Sequence, residues 1–307
     1  MVATMYFMRV FILGEILGNN QLALRMSELE FALLVLSFVL IAAGGNIIND
    51  YFDLRADRIN KPHRVIIGKH VKRRVAMVSH LVFNAIGIAL GGYLAWKVGM
   101  WNLVIVHLFA SGSLWFYSVI FKREFLIGNI VIALLAALVP LAVGLFEIPM
   151  AIAAYGKEVS AIFMELDPEV DPMIFFKILY YFILGFAGYA FLLTLIREIQ
   201  KDMADIEGDR AVGCRTIPIV LGIKKAKLIT LILLGVTQVT IFMCWYYLFG
   251  DWYTIAYAAV LIMLPLALSM WKTFLAVDRK DFVHAFSFTK LAMGTGLCYA
   301  LVFSLLN

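Results

Sequence analysis

Residues 29–57 read LEFALLVLSFVLIAAGGNIINDYFDLRAD, and the two halves of that stretch obey different chemistry. Phe31 to Gly45 carry no charge and one hydroxyl, Ser37. An α-helix rises 1.5 Å per residue, so about 20 such residues cross a hydrocarbon core about 30 Å thick. Beyond it, polar side chains stand at Asn46, Asp50, Asp53 and Asp57, in steps of four, three and four. That spacing lays them along one face of a helix. The stretch predicts a membrane helix whose end presents a stripe of oxygen ligands.

The same solvent logic extends outward from it. Of 307 residues, 63% are hydrophobic and 15% charged, whereas a soluble domain is roughly half apolar and roughly a quarter charged. Apolar runs of spanning length recur at 1–18, 29–49, 75–96, 101–121, 126–146, 173–197, 227–249, 252–272 and 284–306. They predict an all-α, polytopic membrane protein, a bundle of about nine transmembrane helices. The first run carries Arg9 and Glu15 and has neither a basic stretch nor a small-residue cleavage site before it. A retained helix is expected there, not a removable signal peptide. No low-complexity linker divides the chain, so a single domain over 1–307 is expected.

Charge sets the orientation, because Lys and Arg collect in cytoplasmic loops. The loops at 50–74, 122–125, 197–227 and 272–283 hold 20 of the 26 Lys and Arg residues, against Arg25, Lys97 and Lys157 on the other side. The first set is therefore predicted to be cytoplasmic. This asymmetry accounts for the net charge of +5 without a nucleic-acid partner. The acidic stretch 147–172, with Glu147, Glu158, Glu165, Asp167, Glu169 and Asp171, is expected to be a solvated loop on the outer face.

Shifting the chain by 152 residues, with no gap, exposes an internal repeat. Asp50, Asp53, Asp57 and Arg58 fall on Asp202, Asp205, Asp209 and Arg210, and Val71, Lys72 and Arg73 fall on Ile223, Lys224 and Lys225. The first Asp-rich motif spans 46–57 and the second 198–209, where Glu198, Asp202, Asp205 and Asp209 repeat the spacing. Gly208 is a candidate break in the second helix. Both motifs lie on the predicted cytoplasmic side, so they can share one cavity mouth.

Carboxylates three and four apart repel each other unless cations neutralise them. Hard oxygen donors, with no His or Cys at metal-ligand spacing, suit Mg²⁺, which binds through one or two carboxylates together with substrate phosphates. Cys214, Cys244 and Cys298 form no CxxC pair, and the five histidines are scattered. Diphosphate is the natural bridging group, and Arg58, Lys61, Arg64, Lys69, Lys201, Arg210 and Arg215 can offset its charge. A secondary transporter also combines repeats with intramembrane acids, but its coupling acids belong at the midplane, whereas these sit at helix ends. A non-catalytic scaffold would have no use for two acidic stripes.

At NIINDYFDLRADRINKPHR (46–64), FYSVIFKREFLIGN (116–129) and REIQKDMADIEGDRAVGCRTIPIVLG (197–222), the sequence resembles the UbiA-type family of intramembrane prenyltransferases. The resemblance implies a nine-helix bundle in which Mg²⁺-diphosphate sits over an apolar tunnel holding the prenyl chain. It implies metal ligands among Asn46, Asp50, Asp57, Asp202, Asp205 and Asp209, with Asp50, Asp57, Asp202 and Asp209 central to catalysis. It implies diphosphate contacts at Arg64, Lys122 and Arg123. Asp53, Lys201 and Arg215 fit the substrate side by their place in the stripes and loops. Which acids touch metal directly stays open. Family members often have Arg-Pro after the first motif, and here Val65 follows Arg64. The second motif is most similar to the branch making digeranylgeranylglyceryl phosphate, which implies geranylgeranyl transfer to geranylgeranylglyceryl phosphate. An aromatic acceptor of quinone synthesis is the runner-up. An allylic cation in such a pocket needs shelter from water, and Tyr51, Phe52, Trp115, Phe116 and Tyr117 are the aromatic candidates to provide it.

Overall fold

The computed structural model describes residues 1–60, 65–167 and 169–306, with the backbone alone at 55–57, 59 and 60. In chain order the helices are α1 (Val2–Asn19), α2 (Glu28–Asn60), α3 (Arg73–Val98), α4 (Trp101–Val119), α5 (Ile127–Leu166) and α6 (Ile174–Ala204). They continue as α7 (Ile206–Ala211), α8 (Ile217–Leu221), α9 (Ile223–Phe249), α10 (Trp252–Leu275) and α11 (Arg279–Leu306). Among the described residues nine of these are long and apolar enough to cross a membrane, all but the short α7 and α8. The hydropathy pattern predicted each of the nine. Apolar side chains also face outward, Leu184, Val236, Val239 and Phe274 among them, as a lipid solvent allows.

Two expectations need correction. The outer loop predicted at 147–172 is largely helix, because α5 runs 40 residues, through Pro140 and Pro149, to Leu166. Proline costs a helix one hydrogen bond, but neighbouring helices make that tolerable in a membrane bundle. Glu147, expected in water, is 1% exposed. The second acidic stripe is also not one continuous helix. α6 ends at Ala204, Asp205 adopts φ −103° and ψ 12°, and α7 resumes at Ile206, so Gly208 lies inside the second segment.

Close approach of α2 and α3 rests on small residues. A Cβ on Gly87 would meet the Ser37 carbonyl oxygen at 2.8 Å, and one on Gly44 would collide with Asn84. Polar groups then bond across the seam, as membrane helices require. His80 Nδ1 on α3 donates to the Gly44 carbonyl of α2 at 2.9 Å, and His107 Nε2 on α4 meets Ser37 Oγ of α2 at 2.9 Å. α5 lies along α6, and α6 packs on α11. Met5, Ile12, Phe31, Leu34, Phe146 and Phe176 are buried together where α1, α2, α5 and α6 meet. A second apolar cluster, including Ile199, Met203, Ile217, Ala226 and Phe282, supports the second motif from below. The contact that positions the site is that of α2 with α7, because it sets the end of one acidic motif against the end of the other.

Candidate active site at the acidic helix ends

α2 carries the first motif past the apolar span, and Asn46 and Asp50 are exposed on it while Asp53 is half-buried. The side chain of Asp57 and all of Arg64 lie outside the described residues. Facing α2 is the turn Phe121–Arg123 between α4 and α5. From it Lys122 Nζ contacts Asp53 directly and lies 3.4 Å from Asn49 Oδ1. Burial works to lower the Lys122 pKa, but Tyr117 and Asp53 outweigh it and hold the ammonium above its ordinary value. Lys122 is therefore a charged group at neutral pH.

The second motif sits on the other side of this lysine. Asn129, at the start of α5, donates to Asp202 Oδ2 at 2.8 Å. Asp205, at the break between α6 and α7, accepts from Arg279 Nη2 at 3.3 Å. Asp209 in α7 is 8% exposed. Burial pushes its carboxyl up to about 6, Lys122 and Lys201 pull it down, and Asp205 and Asp53 add to the rise. Asp209 thus feels both an acid and a base from the far side of the mouth. The Arg215 backbone N–H donates to the Arg123 carbonyl at 2.8 Å, which ties the loop after the second motif to the Lys122 turn. The Arg123 and Arg215 side chains themselves are exposed.

Lys201 stands between the acidic mouth and the neighbouring helix, near enough to Asp209 to pull its carboxyl down. It lies 3.3 Å from Glu198, which also contacts Arg197, and both face the α11 side of α6. Phe52 stacks edge-on with Trp115 at 6.4 Å and with Tyr51 at 5.2 Å, so three of the five aromatic candidates form one group beside the first motif. Tyr117 is buried and Phe116 faces outward at 50% exposure.

Among the described residues no three of His, Cys, Asp or Glu converge as a metal site. Asp53, Asp202 and Asp205 are each drawn to a different protein donor instead. The donor chemistry nevertheless fits a hard cation. The thiol beside Asp209 is Cys214, whose backbone N–H bonds the Asp209 carbonyl at 2.9 Å, and burial raises that thiol to about 11. The side chains the two motifs themselves present are carboxylates and an amide, the oxygen donors a hard cation takes. Sequence reasoning missed Asn129 and Arg279 as partners of the acids. An Asn at the head of an apolar helix and an Arg 74 residues after Asp205 carry no spacing signal linking them to the motifs.

Residues 21–293 match the family described as the UbiA prenyltransferase family. A match over most of the chain makes this a multi-pass membrane prenyltransferase. The chain belongs to the UbiA prenyltransferase family. It is 31% identical to a digeranylgeranylglyceryl phosphate synthase of Methanosphaera stadtmanae, over 83% of this chain and 81% of that one. It is 36% identical to the synthase of the same name from Methanothermobacter thermautotrophicus, over 66% of this chain and 60% of the relative. The fold is shared with a solved digeranylgeranylglyceryl phosphate synthase structure, at TM-score 0.61 and 22% identity over 98% of this chain and 93% of that one. It is shared too with a UbiA homolog from Archaeoglobus fulgidus bound to DMAPP and Mg2+, at TM-score 0.54 and 19% identity, covering 96% of each chain.

Proposed function

We propose that this protein, as a single domain over 1–307, transfers a geranylgeranyl group from its diphosphate to geranylgeranylglyceryl phosphate in a Mg²⁺-dependent reaction at the cytoplasmic membrane face. The observation that carries the proposal is the packing of α2 on α7, with Lys122 paired to Asp53 and lowering the Asp209 carboxyl. Sequence similarity to synthases of that name supports the choice of acceptor.

Asn46, Asp50 and Asp57 from the first motif and Asp202, Asp205 and Asp209 from the second would hold the metal, whose bound charge stabilises a departing diphosphate. Lys122, Arg123, Arg64 and Arg215 supply further positive charge toward the phosphates, and Asp53 keeps Lys122 oriented. Asn129 fixes the direction of the Asp202 carboxylate. In the reaction the allylic C1–O bond breaks and its electron pair leaves with the diphosphate. The acceptor hydroxyl oxygen then bonds to C1, and its proton passes to the released diphosphate. The Tyr51, Phe52 and Trp115 group offers aromatic faces to an allylic cation, each worth about 0.5–2 kcal/mol, and the apolar bundle keeps water away.

The test is a competition. Purified protein receives labelled geranylgeranyl diphosphate, Mg²⁺, and geranylgeranylglyceryl phosphate and a hydroxybenzoate at equal concentration, and products are identified by mass spectrometry. The expected product is the diether phosphate, and chelator abolishes it. Predominant alkylation of the ring would move the protein to the quinone-type acceptor, and full turnover in chelator would remove the metal from the mechanism.

A further inference from the structure

Four polar side chains meet inside the bundle, between α6, α10 and α11. Gln200, within the second motif on α6, is fully buried, and so are Ser269 and Thr273 of α10 and Thr289 of α11. The Gln200 amide Nε2 donates to Ser269 Oγ and to Thr273 Oγ1, each at 2.9 Å. Thr289 Oγ1 donates to Gln200 Oε1 at 2.9 Å, and Ser269 Oγ donates to the Ala285 carbonyl at 3.0 Å. Both amide protons of Gln200 and its carbonyl are thus engaged. One turn away on the same three helices, Ile196, Leu266 and Ala292 are packed together as hydrocarbon. Hydrogen bonds between membrane helices add little stability on average. A fully satisfied buried network instead fixes orientation, because a rotated helix would leave its polar groups unpaired.

The orientation fixed here is that of Asp202. Side chains two residues apart on an α-helix point to nearly opposite sides. Gln200 is held toward α10 and α11, so Asp202 is aimed the other way, where Asn129 of α5 meets it at 2.8 Å. A slip of one residue would swing Asp202 by about 100° and break every bond of the Gln200 amide. The internal repeat sharpens the point. The counterpart of Gln200 in the first motif, 152 residues earlier, is Ile48, a buried apolar side chain. α2 runs unbroken past its motif to Asn60, whereas α6 ends at Ala204, two residues after Asp202. The motif whose helix stops short is the one held by a polar clamp.

We propose that Gln200 is a positioning residue for prenyl transfer: its bonds to α10 and α11 set the rotation of α6 and with it the direction of the Asp202 carboxylate. The inference rests on the reading of Asp202 as a metal-holding group and adds what keeps that group aimed. Gln200 is sealed inside the bundle and acts through Asp202, not on the substrate.

Three variants are compared with the wild-type protein. They are Gln200→Leu, Thr289→Val, and a fourfold variant that joins these two to Ser269→Ala and Thr273→Val and so replaces the network with hydrocarbon. Apolar replacement of a whole buried network is often neutral for stability, so the fourfold variant should melt close to wild type. Thr289→Val removes one bond without changing shape and keeps the test open if Gln200→Leu does not fold. The first readout is activity against Mg²⁺. Gln200→Leu and the fourfold variant are expected to weaken the apparent Mg²⁺ affinity about tenfold, as loss of a supporting partner does at metal sites, and Thr289→Val to weaken it less. The second readout needs neither metal nor turnover. Asp202→Cys is introduced into the wild type and each variant, and labelling of that thiol by an aqueous maleimide in chelator is followed on its own peptide by mass spectrometry. Labelling follows the exposure of the thiol, and its rate is expected to change at least about fivefold when the network is removed. An altered labelling rate with an unchanged Mg²⁺ curve would leave the positioning role standing and take Asp202 away from the metal. The proposal is overturned if labelling is unchanged in every variant that folds, since a loss of activity or melting temperature would then be purely structural.

Discussion

Two clusters of ionic groups in this bundle are used in opposite ways. Near the N-terminus of α2, Arg9 is 1% exposed, and its guanidinium bonds Glu28 at 2.6 Å, Glu147 at 3.4 Å and the Met26 carbonyl, and lies over the Phe31 ring. Glu147 in turn accepts from the backbone N–H groups of Arg25 and Met26. Charge and hydrogen-bonding capacity are met within the protein, so this cluster joins α1, α2 and α5 and has nothing left for a ligand. At the acidic helix ends the balance differs. Asp53, Asp202 and Asp205 each find a donor on a different element, Arg197 Nε has no hydrogen-bond partner among the described residues, and Asn46 is exposed. A satisfied buried network holds helices together, whereas an open one is available for a charged substrate.

The contrast breaks most sharply at Glu147. Glu147→Ala leaves Arg9 buried beside Glu28 alone, and removing one partner of a buried pair costs about 3–5 kcal/mol. The expected result is a large fall in thermal midpoint in detergent, or loss of folded protein. A midpoint near wild type would mean that this cluster does not hold the helices.

Asp50→Ala and Asp202→Ala should do the reverse, leaving the midpoint within a few degrees and lowering kcat at least about 100-fold, near 2.7 kcal/mol, by removing stabilisation of the leaving diphosphate. Either folded variant with near-normal turnover at saturating Mg²⁺ would take that residue out of the mechanism. Asn129→Ala removes only the 2.8 Å bond that orients Asp202, and a drop of about tenfold in activity or metal affinity is expected for such a supporting partner. Titrating activity against Mg²⁺ checks it, and an unchanged curve would show that Asp202 needs no orientation.

The smallest effect is expected at Lys97, which pairs with Glu30 at 2.7 Å with its side chain 47% exposed. Exposed pairs contribute little. Lys97→Ala should leave both midpoint and turnover where they are, and a marked loss of either would show that surface pairs on this face matter as much as the Arg9 cluster.

Glu147 also shows where reading along the chain fails. In sequence it heads an acidic stretch after an apolar run, next to Pro149, and both signals indicate a loop. Its burial depends on Arg9, which precedes it by 138 residues. Asp205 fails in the opposite direction: the Asp spacing of the second motif repeats the first, but the helix breaks there and Arg279 comes to it from α11. Lys122 was expected near the motifs only through the family resemblance at 116–129, and Asp53 as its partner was not expected at all.

The sequence by itself determined the solvent, the nine spans, and the two acidic helix ends of matched spacing, because hydropathy and helical period are local properties of consecutive residues. Only the tertiary structure decided that α5 continues through two prolines, that α2 meets α7, that Lys122, Asn129 and Arg279 divide the acids among them, and that Gln200 bonds α10 and α11. Those outcomes depend on distances between residues tens to hundreds of positions apart, which helix packing sets and no local pattern encodes.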